Sequence, residues 1–293
     1  MPDEAYAASP DRRDGPSALP DGLVLVSTPI GNLGDLTPRA RDTLRAADLI
    51  LCEDTRHTAR LLASIGATAR LQPLHEHNED AAIAGVLAQL RQGRRVALVS
   101  DAGVPLVSDP GYRLVRAAIA EGMAISAVPG ANAAVTALVL SGLPPLPFLM
   151  LGFPPPRSAA RRAAFGGLRA AERAGLAATL VWYEAPHRLA DSLADMAAAF
   201  GARPAAVARE LTKRFEEVRR ATLTELAAHY RANPVRGEVT VVVAPAEQED
   251  VEDLDGRLRA ALAGNSVKDA AALVAAATGL PRKLVYARAL ALR

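Results

Sequence analysis

The chain has one cysteine in 293 residues, Cys52, so it can form neither an intrachain disulfide nor a thiolate metal cluster, which accords with a reducing compartment. Aromatic residues are scarce, with one Trp, five Tyr and five Phe, and no RNA-binding aromatic signature is present. Stacking platforms are therefore scarce. Lysine is nearly absent: Lys213, Lys268 and Lys283 stand alone among 34 cations, the rest being arginine. The arginine fork suits phosphate, although an Ala- and Arg-rich composition can equally reflect GC-rich coding. No apolar run reaches the roughly 18 residues of a membrane span, and residues 1–19 lack the apolar centre of a signal peptide. The expectation is a cytoplasmic protein without membrane contact. Net charge is only +2, which does not exclude nucleic acid, because a local basic patch is what matters.

Half of the residues are hydrophobic, enough to bury a sizeable core in two domains plus extras. The most unusual stretch is residues 99–111, Val-Ser-Asp-Ala-Gly-Val-Pro-Leu-Val-Ser-Asp-Pro-Gly, directly after the apolar run 96–98. Two carboxylates, two glycines and two prolines follow the end of a buried strand. In an open α/β sheet ligands bind beyond the carboxyl ends of the strands, so the loop is a site candidate, with an Asp-stabilised tight turn as the equal alternative.

Residues 1–20 have no periodicity and are expected to form a disordered tail. Strand, loop and helix then alternate. Strands are expected at 23–26, 49–52, 96–99 and 124–128, and helices at 39–47, 58–65, 80–92 and 112–120. The loop after the first strand contains Gly31 and Gly34 but no G-x-G-x-x-G and no Walker lysine, which excludes the usual dinucleotide and triphosphate fingerprints. The second strand delivers Glu53-Asp54-Thr55-Arg56-His57, either a helix cap with solvated charges or a set of site residues. His75 and His77 alternate with acids but lack a third ligand at zinc spacing, so no metal is expected.

The Pro- and Gly-rich segment 141–147 reads as an interdomain link. Beyond it, strands are expected near 148–151, 179–183, 205–211, 215–221 and 238–243, the third and fourth as an antiparallel charged hairpin. Helices at 158–173, up to 200 and at 224–231 lie between them. A polar linker precedes three helices near 251–263, 266–278 and 281–292, with Ser266 and Asp269 as a capping box and Gly279 and Pro281 as punctuation. A helix-turn-helix and a simple packing appendage both fit them. The expected division is a tail over 1–21, α/β domains over 22–143 and 144–245, and a helical appendage over 246–293.

Four loops together carry a resemblance: Ser27-Thr28-Pro29-Ile30-Gly31-Asn32, Glu53-Asp54-Thr55-Arg56, Ser100-Asp101-Ala102-Gly103-Val104-Pro105 through Asp109-Pro110-Gly111, and Val128-Pro129-Gly130-Ala131-Asn132-Ala133. In this order and spacing they resemble the tetrapyrrole-methylase-fold S-adenosylmethionine methyltransferases. Within that family the chain resembles the branch that methylates a cytidine ribose 2′-oxygen in the small ribosomal subunit RNA. The resemblance implies a two-domain α/β fold whose cleft holds S-adenosylmethionine, and a homodimer. By position it implies cofactor contacts from Pro29, Ile30, Gly31, Asp101, Ala102, Gly103, Leu106, Asn132 and Ala133, and from Glu184 and Leu211 in the second half. The Ser27–Asn32 loop departs from the glycine-rich pattern of the family's small-molecule enzymes, and the Asp101–Pro105 loop from their Gly-Asp-Pro.

Methylating a hydroxyl requires it to lie in line with the methyl donor and to lose its proton. Asp54 or Glu53 is the expected base, and Arg56, His57, Arg188 and Lys213 are expected to orient RNA. Cleft-rim salt bridges explain the same charges equally well. Two other readings stay open: a methyltransferase acting on a corrin or porphyrin precursor, and a non-catalytic RNA-binding assembly factor.

Overall fold

The computed structural model describes residues 21–246, 251–278 and 280–292. The expected tail over 1–20, part of the polar linker, and Gly279 lie outside them. The chain divides into two compact units, the first ending at Asn132 and the second beginning at Ala133.

The first unit is a five-stranded parallel sheet in the order β3-β2-β4-β1-β5, with β1 Leu23–Val26, β2 Leu49–Cys52, β3 Arg70–Pro73, β4 Val96–Val99 and β5 Ile125–Val128. Helices α1 Pro38–Ala46, α2 Thr55–Ile65, α3 Glu79–Arg91 and α4 Tyr112–Ala120 connect them. Because strand side chains alternate faces, the apolar runs split into two cores. Val24, Val26, Ile50, Cys52, Ala97 and Val99 pack with Leu44, Leu61 and Leu62 on one face. Leu23, Leu49, Leu51, Val96 and Leu98 pack with Val86, Leu90 and Leu114 on the other. Every residue of β2 and β4 is buried, as expected for a parallel sheet covered on both faces.

Strand β3 is absent from the sequence expectation. Its Arg-Leu-Gln-Pro composition carries no apolar alternation, and it pairs only with β2 at the sheet edge, where proline and polar residues are tolerated. Helix α2 starts at Thr55, three residues earlier than expected, because Asp54 is its N-cap: the side chain accepts from the Arg56 backbone N–H.

The second unit opens with α5 Ala133–Ser141, which contacts β7, β8, β9 and β10 of its own sheet. That packing puts the start of the unit ahead of the Pro/Gly segment that the sequence marks as the link. Its sheet runs β6-β7-β10-β8-β9, with β6 Phe148–Met150, β7 Thr179–Glu184, β8 Pro204–Arg209, β9 Glu217–Thr222 and β10 Val239–Val243. The β6/β7 pair is parallel, and the β7/β10, β10/β8 and β8/β9 pairs are antiparallel. The charged hairpin β8/β9 forms as expected, with a loop longer at both ends.

Helices α6 Ser158–Arg173, α7 Leu189–Phe200 and α8 Leu223–Ala232 cover this sheet. Phe165, Trp182 and Phe200 meet there at centroid distances of 5.6–6.2 Å. Three further helices, α9 Val251–Leu262, α10 Val267–Thr278 and α11 Arg282–Ala291, share a core of Leu254, Leu258, Val267, Ala271, Val274, Val285 and Ala289. Ser266 caps α10: its Oγ accepts from the Asp269 N–H at 3.2 Å and donates to the Asp269 carboxylate at 2.6 Å.

Candidate functional site

The unusual loops of the first unit all leave the carboxyl ends of adjacent strands, β5, β1, β4 and β2. They are laced together. Thr28, after β1, exchanges two backbone hydrogen bonds with Gly103, after β4, at 2.9 and 3.2 Å. The Thr28 hydroxyl donates to the Ser100 carbonyl at 3.2 Å, and the Ser100 hydroxyl reaches the Ala102 and Gly103 carbonyls at 3.3 Å. On the other side, the Ser27 N–H donates to the Val128 carbonyl at 3.0 Å.

Two glycines permit this closeness. Gly103 has φ +81°, and a Cβ there would lie 3.3 Å from Ile30 Cγ2 and 3.4 Å from the Ala131 carbonyl oxygen. A Cβ on Gly130 would come within 2.8 Å of Ser27 Cβ. Side-chain-free backbone of three loops therefore converges where Ile30, Gly103 and Ala131 meet, and Pro29, Asp101, Ala102, Leu106 and Asn132 are half-buried around it. Gly31 stays exposed. Such glycine-permitted approaches let backbone amides contact a ligand.

The β4 loop carries strain as well. Leu106 and Ser108 have φ of 72° and 71°, a left-handed conformation that costs ordinary residues about 1–2 kcal/mol. Gly111, with φ +119°, is hemmed in by the Leu98 and Leu106 side chains.

The acids differ sharply in environment. Asp101 accepts the Asp54 N–H at 3.2 Å, which ties the β4 loop to the β2 loop. Asp54 accepts from the Arg56 N–H at 2.8 Å and from its guanidinium at 3.2 and 3.0 Å. These donors, the Arg56 side chain foremost, hold the Asp54 carboxyl at about 2. Asp109 is the opposite case. Burial, then the charges of Glu53 and Asp101, push it up to about 6. Asp109 is not among the residues that the sequence assigns to the site, because only the fold brings the β2 and β4 loops side by side.

A raised folded-state carboxyl favours the protonated native form, so its contribution to stability is full below about pH 4 and is lost as pH rises through about 6. Discounted for partial exposure, the loss is about 1 kcal/mol. Asp109→Asn is thus expected to raise the urea midpoint at pH 8 and to leave it unchanged near pH 4. An equal midpoint for variant and parent at pH 8 would contradict this environment.

In the second unit, Glu184 ends β7 with its side chain fully buried. Its oxygens accept from the Ala185 N–H at 2.7 Å, the Arg188 guanidinium at 2.7 Å and the Ser192 hydroxyl. Lys213 pairs with Glu210 at 2.8 Å and Glu238 at 2.6 Å. Arg188 and Lys213 are thus engaged by carboxylates of their own unit. Leu211 is buried between Glu210 and Thr212, whose φ values are 50° and 65°. Glu184 and Arg209 both register with Val239, so the Glu184 and Leu211 segments lie at one end of this sheet. Ala133 is the first residue of α5. Arg56 and His57 are exposed on the first turn of α2, and the Arg56 side chain keeps 87% of its surface accessible.

Residues 22–227 match the family model of the tetrapyrrole (corrin/porphyrin) methylases, and residues 248–293 match the RsmI C-terminal HTH domain. The chain is 46% identical to the ribosomal RNA small subunit methyltransferase I of Micromonospora olivasterospora, covering 97% of this chain and 91% of that protein. It is 44% identical to the protein of the same name from Escherichia coli O157:H7, over 92% and 94% of the two chains. Among solved structures, uroporphyrin-III-C-methyltransferase from Thermus thermophilus superposes with a TM-score of 0.52 at 25% identity, covering 76% of this chain and 93% of that one. With a matching family model over most of its length and relatives of this similarity, the chain belongs to the tetrapyrrole methylases and, within them, to the ribosomal RNA small subunit methyltransferase I family.

Proposed function

We propose that the protein transfers a methyl group from S-adenosylmethionine to the ribose 2′-oxygen of a cytidine in small-subunit ribosomal RNA. The observation that carries this reading is the convergence of the β1, β4 and β5 loops on bare backbone at Ile30, Gly103 and Ala131, in a chain whose relatives are ribosomal RNA methyltransferases by name. That backbone cradle fits a cofactor held through amides and apolar side chains.

When bound, S-adenosylmethionine supplies an activated methyl on its sulfonium. The proposed contacts to it are Pro29, Ile30, Gly31, Asp101, Ala102, Gly103, Leu106, Asn132 and Ala133, with Glu184 and Leu211 of the second unit. What the protein adds is placement of the hydroxyl and removal of its proton. Glu53 is exposed beside the half-buried Asp109 and is proposed to take that proton. Asp54, committed to three donors, has little basicity left and is proposed to fix the Arg56 guanidinium toward RNA phosphate. His57, on the same helical turn, adds a second donor. Arg188 and Lys213 contribute to RNA through the donors that Glu184, Glu210 and Glu238 leave unused.

A homodimer in the cytoplasm completes the proposal. On helix α5, Val135 and Val139, one turn apart, are 46% and 65% exposed, which suits contact with a second copy. Among the described residues no helix is long and apolar enough to cross a membrane.

The test supplies labelled S-adenosylmethionine together with small ribosomal subunits, naked ribosomal RNA or a tetrapyrrole precursor, and sizes the enzyme in solution. Label is expected in RNA, at a ribose that resists alkaline cleavage on its 3′ side, from a species of twice the monomer mass. Glu53→Gln is expected to lower kcat about 10²-fold or more while cofactor affinity holds. Label in the precursor, or in a base, would overturn the substrate assignment; an unchanged kcat would remove Glu53 from proton transfer.

A further inference from the structure

The three C-terminal helices enclose their own core, and α11 offers to it only Val285 and Ala289 of its buried side chains. The rest of α11 faces outward. Lys283, Tyr286, Ala287 and Leu290, at spacings of three, four and seven residues, are all exposed and form one stripe. Tyr286 and Leu290 are 41% and 53% accessible.

Two features separate this stripe from an ordinary solvated face. The helix contains Arg282, Lys283 and Arg288 and no acidic residue. Arg288 is held by Asp255 in two bonds of 2.7 and 2.6 Å, so Arg282 and Lys283, both exposed, carry the positive end of the face. In a chain with only five tyrosines, an exposed one between a lysine and a leucine on a basic helix is suited to stacking. With cations and no acid of its own, α11 presents the charge that suits a phosphate backbone.

Resting on the ribosomal RNA reading above, we propose that the outer face of α11 is an RNA-contacting surface, with Arg282 and Lys283 on phosphates and the Tyr286 ring stacked on an unpaired base. In helix-turn-helix modules the second helix of the pair is the one presented to nucleic acid, and α11 follows α10 in that position. Sequence-specific RNA recognition favours single-stranded bases that stack on aromatic side chains, and stacking tolerates any base. The surface therefore supplies affinity and anchoring to a loop or junction, leaving the choice of nucleotide to the catalytic unit.

The experiment uses the full-length enzyme and measures KM and kcat for small subunits, equilibrium binding to subunits and to deproteinised ribosomal RNA, and the salt dependence of that binding. Tyr286→Ala is expected to raise KM about tenfold with kcat and S-adenosylmethionine affinity unchanged, and Tyr286→Phe to restore it. Arg282→Gln with Lys283→Gln is expected to weaken binding and to reduce the slope of log affinity against log salt by about 2. An unaltered thermal midpoint guards against loss of the helical core. Variants with parental KM and salt slope would overturn the proposal. So would weakened binding to subunits but not to bare RNA, which would identify a ribosomal protein as the partner. Failure of the parent enzyme to bind or label RNA at all would instead strike the substrate reading beneath it.

Discussion

Gly103→Val is expected to lower methyl transfer about a hundredfold and to weaken S-adenosylmethionine binding with it. Two costs act together. At φ +81° a branched residue is strained by about 1–2 kcal/mol, and its Cβ would start 3.3 Å from Ile30 Cγ2 and 3.4 Å from the Ala131 oxygen, with two methyl groups still to place. The β4 loop would have to withdraw from the β1 loop, breaking the Thr28–Gly103 hydrogen-bond pair. Displacement of about 1 Å in a site of this kind costs on the order of 10²-fold in rate. Calorimetric titration of the cofactor and a single-turnover assay measure both effects, and full cofactor affinity in the variant would show that the loop junction is not part of the binding surface.

The second large effect is expected in stability. Glu184→Ala leaves the Arg188 guanidinium without its carboxylate and strips the Ala185 N–H and the Ser192 hydroxyl of their acceptor. Removing one partner of a buried ion pair costs about 3–5 kcal/mol, a large share of the about 5–15 kcal/mol that holds an ordinary domain folded. Urea unfolding of the cofactor-free protein is the measurement, because a residue that served only to touch the cofactor would leave that midpoint where it was. Glu184→Gln, which keeps the shape and one acceptor, is expected to fall between.

The two predictions rest on two kinds of structure. In the first unit, backbone is brought close by glycines. In the second, a carboxylate network fixes the end of β7.

Much of this was legible in the chain itself. The continuous apolar runs Leu49–Cys52 and Val96–Val99 could only be strands buried on both faces, and the alternation of strand, loop and helix around them dictates a parallel sheet with loops at its carboxyl edge. Thr37 followed by Pro38, and Ser266 with Asp269, state where helices begin, because caps are local chemistry. The four loop motifs, by order and spacing, pointed to the family. Strand β3 was not legible, because an edge strand of Arg-Leu-Gln-Pro is made by its neighbour β2 and not by its own pattern.

What only the tertiary structure decided is which charges remain available. Glu53, Asp54, Asp101 and Asp109 are alike as letters. Folding gave Asp54 three donors and a carboxyl near 2, and enclosed Asp109 between two other acids with a carboxyl near 6. Arg188 and Lys213, expected either to orient RNA or to form salt bridges, are held by carboxylates, Arg188 by Glu184 four residues away and Lys213 by Glu238 at 25. Backbone propensity and hydrophobic period are local or periodic quantities and can be read along the chain. Asp54 and Glu184 meet partners two and four residues away, but the surroundings of Asp109 and the Lys213–Glu238 pair depend on distances between segments far apart in the chain, and those distances exist only once the sheets have formed.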